Sequence, residues 1–173
     1  MRIRVAVIGG GSWGTTVAHL AAHQVPTMLW ARRPELADEV NSSHTNERYL
    51  PGLSLHPELR ATGDLAEAVD SADVIVMGVP SQGFRSALEQ VAEHVRAWVP
   101  VLSLTKGLEQ GSHQRMTQVV NEVMPGHPAA VLTGPNWQNF SDSYTDLLKA
   151  GGGKEVTDAD SLAIAVLGLL QNE

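Results

Sequence analysis

At 173 residues with 43% hydrophobic side chains, the chain can form one domain around an ordinary apolar core. Its formal charge of 12 − 19 = −7 and the lack of any long Lys/Arg run argue against nucleic acid or an anionic membrane as partner. It has no cysteine, which excludes disulfides, thiolate metal sites and cysteine nucleophiles and fits a cytoplasmic protein.

Ile3 to Ile8 reads as a buried strand. It breaks at Gly9, too soon for a signal peptide or a spanning helix, so a soluble chain is expected. Gly9 to Gly14 form a turn, Trp13 to Gln24 a helix and Thr27 to Ala31 a second strand. Pro34 suits a first helical position, opening a helix over Glu35 to Asn41. Asp64 with Glu67 three residues on has capping-box spacing for a short helix ending at Val69. Then follow strand Val74 to Val79, helix Gln82 to Val95, strand Val99 to Leu104, helix Gln114 to Val123 and strand Ala129 to Thr133. Ser141 to Lys149, Lys154 to Thr157 and Ser161 to Leu170 read as helix, strand and helix.

Uninterrupted apolar strands alternating with helices imply a parallel sheet covered on both faces. The expected fold is a doubly wound α/β domain of three layers, α/β/α, spanning 1–173. Residues 137–173 would close the sheet with a helix–strand–helix.

The strongest motif is Gly9-Gly10-Gly11-Ser12-Trp13-Gly14, a G-x-G-x-x-G between a strand and a helix. In this context Gly9 allows the tight turn, Gly11 admits a pyrophosphate to the backbone, and Gly14 permits close helix–strand packing. The helix start then favours the anion. This is the dinucleotide signature of the Rossmann fold. NAD sites place an acid after the second strand, whereas this chain reads Trp30-Ala31-Arg32-Arg33. A guanidinium there can pair with the 2′-phosphate of NADP, so the pattern favours NADP or tolerance of NADP and NAD. Gly10 to Gly14 also match G-x-S-x-G, but a hydrolase elbow takes an oxyanion-hole N–H from a loop after an earlier strand, and with Ile3 to Ile8 expected as the first strand a serine hydrolase is not expected. Lys106, after the strand Val99 to Leu104, and Gly78-Val79-Pro80-Ser81-Gln82 fall at the carboxyl edge where ligands bind. His19 and His23 share a helix face but lack a spaced third ligand. They read as exposed histidines, and no metal is expected.

With these motifs in place, the chain resembles the cofactor half of bacterial NAD(P)-dependent glycerol-3-phosphate dehydrogenases. The resemblance is carried by Gly9 to Ala18, Trp30 to Arg33, Asn46 to Gly52, Val79 to Gln82, Ser103 to Glu109 and Leu132 to Asn136, so it covers residues 1–136. It implies hydride transfer between NAD(P)H and dihydroxyacetone phosphate. Ser12, Trp13, Arg32, Arg33 and Lys106 would contact the cofactor, and Lys106 and Gly134 would lie at the substrate. The family's helical domain, with its proton-donating lysine, has no counterpart after Asn136. An incomplete catalyst is therefore expected, with no catalytic residue of its own and weak hold on a triose phosphate. Exposed apolar surface left by that domain could drive homodimerisation. Residues 134–173 are similar to the tail of a two-domain glycosyltransferase, the Kdo transferase, which raises the expectation of a chimera. The alternative is a recombined or engineered scaffold that binds nothing.

Overall fold

In the computed structural model of the chain, residues 3–132 are described. Within them, six strands and five helices alternate along the chain. They are β1 (Val5–Ile8), α1 (Ser12–Ala22), β2 (Thr27–Trp30), α2 (Pro34–Ser43), β3 (Arg60–Thr62), α3 (Leu65–Val69), β4 (Val74–Met77), α4 (Ser81–Ala92), β5 (Val101–Ser103), α5 (Met116–Val123) and β6 (Ala129–Val131). All strands pair in parallel, in the order β3-β2-β1-β4-β5-β6. This is the doubly wound Rossmann order, with the chain reversing direction across the sheet between β1 and β4.

The central strands are apolar throughout because both faces are covered. Val5 to Ile8 and Val74 to Met77 are all buried. On one face Ala6, Ile8, Ile75 and Met77 join a cluster with Phe84, Leu88 and Val91 of α4 and Met116, Val119 and Val120 of α5. On the other, α1 buries Gly14, Thr15, Val17, Ala18 and Ala22, most of them small. These small side chains at helical spacing allow the helix to settle close to the sheet.

β3 is an element that the sequence did not reveal. Three residues opening on exposed Arg60 are too short to show a period. The strand is held from its outer side by Asn41 of α2. Asn41 Nδ2 donates to the Ala61 carbonyl at 2.8 Å, and the Ala61 N–H donates to Asn41 Oδ1 at 2.9 Å. One side-chain amide thus takes the place of a neighbouring strand at this edge.

Element ends also differ from expectation. The helix foreseen over Gln114 to Val123 begins at Met116, where the Gln118 side chain accepts the Arg115 N–H at 3.0 Å. Asp64 does cap α3, accepting from the N–H groups of Ala66 and Glu67. The capping box is rerouted, however. Glu67 accepts the Thr62 hydroxyl, and Thr62 Oγ1 in turn accepts the Asp64 N–H at 3.0 Å. The helix–strand–helix expected over 137–173 lies outside the described residues.

Candidate dinucleotide site

The sheet's register brings the candidate residues to one edge. Thr62, Trp30, Ile8, Met77, Ser103 and Val131 stand in one row across the six strands. Each strand's next residues therefore emerge together at the carboxyl end. Gly9 to Gly14 follow β1, Arg32 and Arg33 follow β2, Gly78 follows β4 and Lys106 follows β5. Gly134 lies outside the described residues.

At the crossing of β1, α1 and β4, three glycines interlock. A Cβ on Gly9 would stand 2.7 Å from the Gly78 carbonyl oxygen, and Gly9 has φ +122°. On Gly14 it would stand 2.0 Å from the Gly9 oxygen, and on Gly78 it would stand 3.1 Å from Gly14 Cα. Backbone packs on backbone here, so the helix start can sit directly over the strand end. Gly11 is different: a Cβ there would meet nothing within 4 Å. The protein itself makes no demand for glycine at Gly11, and the open space admits a ligand to the backbone. Gly11 is also the N-cap of α1, and no side chain caps it. The first-turn N–H groups have no intrahelical acceptor and carry the positive end of the helix dipole. A pyrophosphate fits this cradle.

Ser12 and Trp13 are exposed at the mouth of the loop. Ser12 Oγ donates to the Tyr49 carbonyl at 3.2 Å, a backbone contact rather than the imidazole contact of a hydrolase. Arg32 and Arg33 are exposed, and neither enters an ion pair among the described residues. Lys106 is exposed beyond β5. Its loop is tied to the neighbouring strand end, since Thr105 Oγ1 donates to the Val79 carbonyl at 2.6 Å and the Leu104 N–H to the Met77 carbonyl at 2.9 Å.

Two supports for these loops lacked any local sequence signal. One is Arg85 on α4. Its guanidinium holds Glu109 through Nε at 2.7 Å and Nη2 at 3.0 Å, and also reaches Glu122 on α5 and Gln114. The Arg85 pairing, with the Ser112 hydroxyl second, lowers the Glu109 carboxyl to about 2. The other is Asn46, fully buried, in the segment after α2. Its Nδ2 donates to the Gly10 carbonyl at 3.1 Å and to Thr15 Oγ1 at 2.8 Å. Asn46 belonged to a block that carried the family resemblance, but a lone Asn in a polar stretch reveals no partner.

Of the two helix histidines, His23 is exposed as expected, but His19 is not. His19 is half-buried rather than exposed, and its Nδ1 accepts the His56 N–H at 2.9 Å. His23 stacks near both rings, with centroids 5.0 Å from His19 and 4.4 Å from His56. Among the described residues no cluster of His, Asp or Glu could hold a metal ion, and no helix is long and apolar enough to cross a membrane.

Fold and loop define the chain's class: a dinucleotide-binding domain of the doubly wound type. Residues 4–139 match the family described as NAD-dependent glycerol-3-phosphate dehydrogenase N-terminus, and the chain belongs to that family. It is 56% identical over 136 residues to glycerol-3-phosphate dehydrogenase (NAD(P)+) 2 of Sphingopyxis alaskensis, which covers 79% of this chain and 41% of the relative. It is 57% identical over 134 residues to the Mycobacterium avium glycerol-3-phosphate dehydrogenase (NAD(P)+), covering 77% and 39%. The solved glycerol-3-phosphate dehydrogenase of Coxiella burnetii superposes with a TM-score of 0.72 at 27% identity, over 88% of this chain and 52% of that one. The chain thus spans about 40% of the length of these curated relatives. The glycosyltransferase resemblance of residues 134–173, and with it the chimera, gains no support from these comparisons.

Proposed function

We propose that this chain is the cofactor-binding part of an enzyme that interconverts dihydroxyacetone phosphate and glycerol 3-phosphate, and that it prefers NADP. The observation that carries the preference is the pair Arg32 and Arg33, exposed after β2 where an NAD site has an acid and unengaged by any carboxylate among the described residues. A guanidinium offers the 2′-phosphate two parallel N–H donors. The N–H groups at the start of α1 take the pyrophosphate, with Gly11 leaving room for it and Ser12 and Trp13 flanking it. When bound, the dinucleotide would supply a hydride to the carbonyl carbon of dihydroxyacetone phosphate, or take one from the carbinol carbon of glycerol 3-phosphate.

Lys106, at the mouth beyond β5, offers an ammonium to the cofactor and to the phosphate or oxygen of the triose. Gly134 keeps a place beside the substrate in this reading. We assign no proton donor to this chain. This cofactor-binding part alone would hold a triose phosphate only weakly, because catalysis needs a positioned substrate and proton source besides the cofactor. Self-association of the chain belongs to the same proposal, and sedimentation would read it directly.

The test is a titration with NADPH and NADH at one fixed salt concentration, followed by tryptophan fluorescence. NADPH should bind tighter, and Arg32→Ala or Arg33→Ala should weaken NADPH by about tenfold while sparing NADH, as loss of a charge-assisted pair predicts. Equal binding of the two cofactors by the unsubstituted chain would overturn the preference. Saturable binding of neither would overturn the reading itself.

A further inference from the structure

The cradle described above works only if its N–H groups, and not its carbonyls, face the ligand. A trans peptide points its C=O and its N–H to opposite sides. No peptide among the described residues is cis. The peptide joining Gly10 to Gly11 therefore has two outcomes: one turns the Gly11 N–H to the open side, and the other turns the Gly10 oxygen there, where it would repel a phosphate. Glycines do little to choose between them. Something else must.

We infer that Asn46 is the positioning residue that sets this peptide, and thereby makes the glycine loop an anion site. Its Nδ2 donates to the Gly10 carbonyl at 3.1 Å. Asn46 is fully buried, so that bond draws the Gly10 oxygen into the interior, and in a trans peptide the Gly11 N–H then points the other way, away from Asn46. The second amide hydrogen goes to Thr15 Oγ1 at 2.8 Å, in the first turn of α1, so one side chain fixes both the loop and the helix that it opens.

Asn46 is itself firmly held. Its carbonyl accepts the N–H groups of Tyr49 and Leu50, and Leu55 N–H to His44 carbonyl, at 2.7 Å, closes the loop around it. Glu39 of α2 accepts the Thr45 hydroxyl at 3.1 Å and the Glu47 N–H at 2.7 Å. Tyr49, in the same loop, accepts from Ser12 and gives a second tie to the start of α1. The Oδ1 of Asn46, by contrast, is buried and accepts nothing among the described residues. The contribution of its side chain is two donors placed where the loop needs them.

This inference rests on dinucleotide binding at the loop, and two probes keep the two ideas apart. NADPH spans the pyrophosphate cradle, whereas adenosine 2′-monophosphate has no pyrophosphate and reaches only the arginine end. Asn46→Ala should weaken NADPH by about tenfold, the scale of one lost directed hydrogen bond in a buried site, and leave adenosine 2′-monophosphate unchanged. Thr15→Val keeps the shape and the Gly10 bond but removes the second tie. It should fold even if Asn46→Ala does not, and should weaken NADPH by a smaller factor, again without touching the mononucleotide. Loss of both ligands in parallel, or unaltered NADPH affinity in Thr15→Val and in any folded Asn46→Ala, would overturn the assignment. Failure of the unsubstituted chain to bind NADPH would remove the site and the inference together.

Discussion

A methyl group on Gly14 would put carbon 2.0 Å from the Gly9 carbonyl oxygen, and a backbone oxygen cannot swing aside as a side-chain tip can. Gly14→Ala should therefore force α1 off the strand end, at the upper end of overpacking costs of roughly 1–3 kcal/mol. A fall in Tm of roughly 5 °C or more is expected by calorimetry. Gly11→Ala is the opposite case. At φ −76° an alanine is unstrained, and its Cβ has open space around it. Its Tm should stay within roughly 2 °C of the original, while NADPH weakens by about tenfold because the methyl occupies the ligand's space. If Gly11→Ala melted as early as Gly14→Ala, the distinction between a packing glycine and a ligand glycine would be wrong. The roles of Gly9, Gly11 and Gly14 could be read in advance because each follows from position alone in a strand–turn–helix. Asn46 could not, because its partners lie 36 and 31 residues away and no periodic pattern points to them.

The loop that bears Lys106 is largely exposed and is braced by charge. Leu108 and Arg115 form an antiparallel bridge, the Glu109 N–H donates to the Gln114 carbonyl at 2.9 Å, and Arg85 reaches in from α4 to grip Glu109. Arg85→Met keeps the stem but removes the grip, so the loop should open locally while the sheet stays closed. A lysine-specific protease reads this directly. Cleavage after Lys106 should quicken by about fivefold, with amide exchange in β1 and β4 unchanged. Unchanged cleavage would mean that the hairpin alone holds the loop. At this scale most elements were legible: β1, β2, β4 and β5 as apolar runs, α1 and α4 by helical period. β3 was not, because its three residues are fixed by pairing with β2 and by the Asn41 amide rather than by their own pattern. The ends of α1 and α5 shifted for a related reason. Caps are set by hydrogen bonds such as Gln118 to Arg115, which apolar spacing does not record.

Across the whole domain, the ionisable contacts push stability in one direction with pH. His19 has its pKa lowered from 6.5, first by burial and then by the neighbouring His23 and His56. Between its folded value and 6.5 the unfolded chain binds a proton that the folded chain refuses, so stability falls as pH drops through that range. Protonation would also cost Nδ1 its bond from the His56 N–H. A second group of titrations lies lower. Glu109 is lowered from 4.5 to about 2 by Arg85 and then Ser112, and Glu122 is lowered by Arg85 and then Gln114. At Asp73 burial opposes ionisation, but the Arg4 N–H and the Arg96 guanidinium together outweigh it, so its pKa is lowered from 3.8. These carboxylates contribute stability above their unfolded values and lose it as pH falls toward the folded ones, so Glu109 acts between 4.5 and about 2. The two groups do not offset each other. The loss of stability with acid should therefore come in two stages, one below pH 6.5 and one below pH 4.5. His19→Asn places an Oδ1 where it can accept the His56 N–H without titrating. It should flatten the fall in Tm between pH 7.5 and 5.5 and leave the lower stage intact, a window set by the histidine range of about 6.5. Glu109→Gln should do the reverse. A His19→Asn protein whose Tm falls as steeply through the upper range would show that another group carries that stage, and the histidine cluster would lose its part in the acid response.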